Sequence, residues 1–596
     1  MGQGHALPFA GHGPAPQEGY NQKRMFQISS SSPVYDVVII GSGAGGGTVT
    51  KVLADLGVSM ALLEAGPPLD PAKDFKEHMW PYQVSHRGIG KGGQGYFGPT
   101  PWDFGYFTAS FGGWKLAGEP YTVNPGDKFS WFRSRVVGGR TNHYGRISLR
   151  FADYDFAPYT RDGLGTDWPI TYDELAPYYD KAERFIGVTG SKEGIRSAPD
   201  GIFQPCPPPR VPEMLFQRAA KKLNIPCIPA RLAVITQPTN GRPPCHYCGQ
   251  CGRGCIASSN YSSSQVQVFP AMKTGRVKLF TNAMARELIT DSSGKVSAVS
   301  YIDKATRTEK QIRCRSVVVA CGACESARLL LNSKSPAHPN GLANGSGHVG
   351  RNLTDSVGYG LDAHIPALDG LPRHNSDGMG GMHLYVPWWL WDSKNKEFPR
   401  GYHIEIGGGF DMPGIGSFHG DCERHEGYGK DLKAAIRNEY GAWFGMAGRG
   451  EQIPNENTFC ELDPDVVDQY GTPVLRFHFK WTDHELKQAA HMYDTFRSLL
   501  ETMGGKVTTP RPNFMAGEGI SDGGEIIHEL GTVRMGSDPS KSVLNKYCQA
   551  HEVKNLFVAD AAPFVSNPDK NPTLTIIALA WRTAEYLAEE MRKGNV

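Results

Sequence analysis

Apolar residues along this chain follow two periods, and each predicts a different element. Tyr35-Asp-Val-Val-Ile-Ile40 is a near-continuous apolar run, the pattern of a strand buried on both faces. It runs into Gly41-Ser-Gly43-Ala-Gly-Gly46 and a helical stretch that closes at Leu56 and Gly57, after which Val58 to Leu63 reads as a second strand. At the far end, Asn555 to Asp560 reads as a short buried strand closing on an acid, and an amphipathic helix runs from Asn571 to about Arg592, with Asn571 as N-cap and Pro572 as first helical residue. Between these ends, Tyr402, Ile404 and Ile406 alternate with His403 and Glu405, as in a strand with one apolar face and one face toward a cavity or solvent. Thr482 to Met503 predicts a helix with a Thr482/Glu485 capping box, a buried stripe of Leu486, Ala490, Tyr493, Phe496 and Leu500, and a stop at Gly504. Residues 76–131 are rich in Gly and aromatic residues with little periodicity, which predicts either a lid or docking loop or an irregular surface loop packed by its own rings. Trp388, Trp389 and Trp391 suit either sugar stacking or a core cluster.

Composition narrows the functional classes. The 596 residues, 39% hydrophobic, can form two or three cores. Lys+Arg number 62 against 60 Asp+Glu, with no basic block, so there is no electrostatic footprint for nucleic acid or an anionic membrane. No apolar run reaches the roughly 18 residues of a membrane span. Residues 1–32, rich in Gly, Pro, Gln and Ser, lack the apolar segment of a secretory signal and read as a loose tail.

Two motifs carry chemistry. The strand, glycine turn, helix and second strand ending in Glu64 form a dinucleotide-binding pattern: Gly41 permits the tight turn, Gly43 admits a pyrophosphate, Gly46 lets helix and strand approach, and Glu64 is placed for the ribose hydroxyls. In CHYCGQCGRGC, four thiols (Cys245, Cys248, Cys251 and Cys255) fall within eleven residues. The run resembles the bacterial ferredoxin motif, except that Ile256 replaces the usual proline, so both a 4Fe-4S and a 3Fe-4S centre stay open. A zinc site made of four thiolates usually splits its ligands between two separate knuckles, and disulfides here would close very short rings.

The chain resembles the glucose-methanol-choline (GMC) oxidoreductases in six ordered segments. They are the glycine turn, Val137-Gly-Gly-Arg-Thr-Asn-His-Tyr144, Val317-Val-Val-Ala-Cys-Gly322, Gly347-His-Val-Gly-Arg-Asn-Leu353, His528-Glu-Leu-Gly-Thr-Val-Arg-Met-Gly536, and Ala559-Asp560 to Thr575. The resemblance implies an α/β fold: a discontinuous Rossmann-like FAD-binding domain (33–75, 132–190, 266–358 and 545–596) and an α+β substrate domain (359–544) with a mainly antiparallel sheet. Residues 191–265 are then an insertion carrying the cysteine run. It also implies His528 as catalytic base and Asn571 as the residue orienting the alcohol oxygen through its amide. Gly138, Gly139, Asn142, Asp560 and Pro572 join the glycine turn and Glu64 around FAD. Several family members join the histidine at the position of His143 covalently to the flavin and others do not, and both stay open.

Within the family the likeness points to bacterial sugar dehydrogenase catalytic subunits, including those acting on glucosides at carbon 3, with gluconate, fructose, glucose or polyol oxidation as alternatives. The partners implied are a small helper subunit and a cytochrome c or other acceptor, and the location is the periplasm, through an exported partner, or the cytoplasm. From other classes come a hydroxynitrile-lyase-type enzyme and an electron-transfer module. The cysteine run argues against the first, and the second leaves His528 and Asn571 unexplained.

Overall fold

The first apolar run forms β1 (Val34–Ile40), whose last four residues are fully buried. In this computed structural model, which describes residues 33–75, 77–78, 112–252, 254–372, 378–392, 397–409, 422, 424–425 and 427–596, the glycine turn leads into α1 (Ala44–Asp55) and then β2 (Met60–Leu63), parallel to β1. The second strand starts two residues later than its apolar run, because the Val58 N–H still donates to Leu53 O and closes the helix. Gly41 has φ +93°, and a Cβ there would lie 2.4 Å from Ala320 O. At Gly46 a Cβ would lie 1.9 Å from Gly41 O, so helix and turn meet only because both residues lack side chains.

A seven-stranded sheet grows from this unit through β3 (Val277–Phe280), β4 (Ala283–Thr290), β5 (Val296–Asp303) and β6 (Thr308–Val319) in the order β3-β2-β1-β6-β5-β4, with Leu556–Val558 paired to β6. Pairs from β3 to β6, and the Leu556–Val558 pair, are parallel; β6-β5-β4 is an antiparallel meander. The carboxyl ends of the parallel strands therefore bring Gly41, Glu64, Ala320 and Asp560 to one edge, where open α/β sheets bind ligands.

The second sheet is antiparallel, in the order β7 (Val357–His364), β10 (Trp443–Gly450), β9 (Tyr402–Gly408), β8 (Leu384–Val386), and Ile228–Pro229. The segment carrying the cysteine run thus also supplies an edge strand, and Phe216 from its helix Val211–Lys222 stacks on Phe444 of β10. On β9 the alternation is realised: Tyr402, Ile404 and Ile406 enter the core and Glu405 points to the opposite side. Trp388 is buried against Tyr402, while Trp389 and Trp391 are half-buried.

Helix α2 (Asp483–Thr502) braces this sheet, with the capping box as expected and Gly504 past its end. Its stripe is turned from the expected one: Ala489, Met492 and Leu499 join Tyr493, Phe496 and Leu500 inside, while Leu486 and Ala490 are half-buried. Two polar residues turn it. Glu485 accepts from Ile453 N at 3.2 Å, and Gln488 donates to Glu451 O at 3.4 Å, both in buried positions. The last helix, α3 (Thr573–Lys593), begins two residues beyond the expected cap; Pro572 takes the N-cap position and the Asn571 side chain is engaged elsewhere. Among the described residues no helix is long and apolar enough to cross a membrane. The tail 1–32 and most of the expected lid loop, residues 76 and 79–111, lie outside the described residues.

Candidate active site

A cavity of about 390 Å³ runs from the glycine turn to the second sheet, a size suited to a cofactor and a small substrate. Gly41, Gly43, Glu64, Gly139, His143, Asp560 and Pro572 line it, together with His528 and Asn571. Gly46, Gly138 and Asn142 do not. They stand behind the wall, where the Asn142 amide donates to Val137 O at 3.1 Å and Gly139 O at 3.0 Å and so braces the turn.

Around the glycine turn the cavity is open and polar. At Gly43 a Cβ would meet nothing within 4 Å, leaving open space above the N-terminus of α1. Burial pushes the Glu64 carboxyl up, while Ser42 Oγ at 2.5 Å and Gly66 N at 3.0 Å donate to it and hold it in place. Asp560 is likewise raised by burial and accepts from Gly322 N and Ala562 N, tying the two returning strands together. His143 reaches Ser134 Oγ through Nε2 at 2.8 Å, and burial, with Arg146 and Arg140 nearby, lowers its pKa to about 3.

His528 sits on a strained strap. Ile527 before it has φ +65°, a region that β-branched residues rarely adopt, and the neighbouring N–H groups are both held by one carboxylate: Ile526 N donates to Asp355 Oδ2 at 3.2 Å and His528 N to Asp355 Oδ1 at 2.9 Å. Arg140 donates to Ile527 O at 3.4 Å and pairs with Glu529. The imidazole Nδ1 lies 2.9 Å from Ser356 Oγ, and Nε2 lies 3.4 Å from Asn571 Nδ2. Burial lowers the His528 pKa to about 3, assisted by Arg449, so the ring is neutral.

Two cavity residues were not singled out from the sequence. Glu405 on β9 accepts from Asn571 Nδ2 at 3.1 Å and pairs with Arg449 on β10 at 3.1 Å. Against burial, which raises it, Arg449, His403 at 3.3 Å and the Asn571 amide hold the Glu405 carboxyl well below the usual range. The signal for Glu405 was its place on the polar side of the alternating strand. Arg449 carried none, because only strand pairing places it opposite His403.

The four cysteines lie together beyond the cavity wall. All are free and half-buried. Burial raises the thiols of Cys245 (to about 12), Cys248 and Cys255, and neighbouring sulfurs of the run raise them further. The Tyr247 N–H reaches Cys245 Sγ at 3.3 Å, and a Cβ on Gly380 would lie 3.1 Å from Cys251 Sγ. Gly381, next along, faces Gly145 O on the cavity wall. The donor set is the one iron-sulfur clusters use, though among the described residues no group of three or more His, Cys, Asp or Glu stands as placed in an arrangement that could hold a metal ion.

Family models described as GMC oxidoreductase match residues 35–357 and 454–580. The chain is 30% identical to a 2-methyl-1,2-propanediol dehydrogenase from Mycolicibacterium austroafricanum, over 94% of this chain and 96% of that one. It is 27% identical to a fructose dehydrogenase large subunit from Gluconobacter japonicus, over 95% and 100%. Among solved structures, a formate oxidase from Aspergillus oryzae superimposes with a TM-score of 0.64 at 16% identity, over 95% of this chain and 100% of that one, which is a likeness of fold.

Proposed function

The chain belongs to the GMC oxidoreductase family, and from that premise we propose that this FAD-dependent enzyme, acting on CH–OH groups, is a dehydrogenase that oxidises a ring hydroxyl of a sugar or glycoside, with carbon 3 of glucosides as first choice. One observation carries the reading: the neutral His528 imidazole and the Asn571 amide, 3.4 Å apart, face one cavity that also opens onto the glycine turn. The open space at Gly43 and the carboxyl of Glu64 fit a bound FAD, with Gly41, Gly139, Asp560 and Pro572 around it and Gly46, Gly138 and Asn142 bracing from behind. Bound there, FAD supplies the hydride acceptor.

His528 acts as the base. With Nδ1–H donated to Ser356 Oγ, Nε2 is the ring's acceptor; the Asn571 amide N–H reaches it at 3.4 Å, and a substrate hydroxyl entering between them donates its proton there. Asp355 holds the strap on both sides of Ile527 and so fixes where Nε2 points, while Asn571 orients the substrate oxygen. Glu405, across the Asn571 amide from the ring, attracts the imidazolium that forms.

The cysteine loop supports a second part of the reading. Cys245, Cys248, Cys251 and Cys255 would hold an iron-sulfur cluster, which supplies one-electron transfer to an external acceptor such as a cytochrome c, with a helper subunit in the assembly. The fructose dehydrogenase relative, named as a large subunit, favours such an assembly. Two locations accord with it, the periplasm reached with an exported partner and the cytoplasm. In the same proposal the chain divides into FAD-binding, insertion and substrate regions, and His143 is the candidate for a covalent flavin bond. Anaerobic bleaching of the flavin by methyl glucoside, fructose, gluconate and polyols tests the substrate. Bleaching by methyl glucoside to a 3-keto product supports the first choice, and a flavin that no carbohydrate bleaches rejects the dehydrogenase.

A further inference from the structure

We propose that His403 is a positioning residue of the active site: it ties the backbone of Asp569 to the Glu405 carboxylate and so fixes where the Asn571 amide stands against His528. The proposal rests on the reading of His528 and Asn571 as the reacting pair. His403 and Glu405, two apart on β9, project from the same face of the strand. Asp569 and Asn571, likewise two apart, lie just before α3. The imidazole Nδ1–H donates to Asp569 O, and Nε2–H donates to Glu405 Oε1 at 3.3 Å. Both partners only accept hydrogen bonds, so each ring nitrogen supplies a proton. Asn571 Nδ2 donates to the same Glu405 Oε1 at 3.1 Å. Imidazole, carboxylate and amide thereby close a ring of contacts through the backbone from Asp569 to Asn571.

The members of this ring are held from outside as well. Arg449, opposite His403 in the strand register, pairs with Glu405 Oε2 at 3.1 Å and leaves Oε1 to the two N–H donors. Tyr385 on β8 meets the imidazole edge to face, with ring centroids 6.2 Å apart. Lys570, between the two tied residues, is buried and pairs with Asp155 at 2.9 Å and with Asp569. With these contacts made, Asn571 Nδ2 lies 3.4 Å from His528 Nε2. His403 is 1% exposed and outside the lining of the active cavity, so it acts on substrate through its neighbours. A group misplaced by about 1 Å can slow a reaction by about a hundredfold, which sets the scale of the effect.

The test is a double-mutant cycle on FAD-loaded protein. Flavin reduction is followed without oxygen, using whichever of methyl glucoside, fructose, gluconate or sorbitol bleaches the parent enzyme. His403→Phe should lower the limiting rate by roughly ten- to a hundredfold. In Asn571→Ala protein, where the clamp has no amide left to hold, the same change should lower it by about threefold or less. Crystals of the His403→Phe protein should show the Asn571 amide moved off Glu405 Oε1. If the Phe protein does not fold, His403→Asn and His403→Gln take its place; each keeps one donor and opens the ring, and each should slow reduction by roughly tenfold. Parent-like reduction in a His403 variant that binds FAD, the full loss repeated in the Asn571→Ala background, or an unmoved amide would each overturn the proposal. Asn571→Ala at the parent rate, or a flavin that none of these compounds bleaches, rejects the reading of the reacting pair and the proposal with it.

Discussion

Replacing Glu405 by Gln removes the anion that faces the reacting imidazole and leaves the shape of the cavity almost unchanged. When His528 takes the substrate proton, an imidazolium forms in a buried site that already holds Arg449, and burial together with that guanidinium disfavours it. The Glu405 carboxylate offsets this. The contacts of 3.1 and 3.4 Å share the atom Asn571 Nδ2, so carboxylate and Nε2 are at most about 6.5 Å apart. At an effective dielectric of about 20, opposite charges at that distance attract by about 3 kcal/mol, or about a hundredfold in rate. Arg449, left without its partner, adds to the loss. Rapid mixing of enzyme and sugar without oxygen, followed by flavin absorbance, should show reduction slowed by about a hundredfold with FAD content near normal. Reduction within about threefold of the parent would refute the electrostatic reasoning, because a charge this close cannot be silent in a water-poor site.

Two other outcomes follow from the site and the loop. Because burial lowers the His528 pKa to about 3, below the ordinary imidazole value, the base stays deprotonated as pH falls through 6.5; reduction by sugar should be flat from about pH 8 to about pH 5, and an acid limb centred near 6.5 would contradict it. Cys248→Ser should leave flavin reduction by sugar intact, lower the iron content and stop turnover with an external acceptor. Unchanged acceptor turnover would count against a cluster in the loop.

The sequence made the nucleotide end legible because its constraints are local. A continuous apolar run, three glycines and an acid after the next strand lie within about 30 residues, the span of one strand-helix-strand unit. The alternation at 402–406 was likewise visible, since period two survives whatever the strand pairs with. What escaped notice depends on contacts between distant segments. Arg449 reaches the cavity by pairing of β9 with β10, and Asp355 reaches the His528 strap from a segment more than a hundred residues away. Asn571 shows how a local rule yields to tertiary structure: Asn before Pro is an ordinary N-cap, but the half-buried Glu405 carboxylate takes the amide, and the helix starts at Thr573. The turned stripe of α2 has the same cause, two buried polar residues drawn inward by backbone partners.

The measurement that bears most directly on the account is flavin reduction by sugar in His528→Ala protein that still binds FAD. The expected rate is lower by about two to four decades, with the flavin spectrum of the oxidised protein unchanged. Reduction at close to the parent rate would show that the proton leaves by another route, and the proposed role of the His528 site would fail.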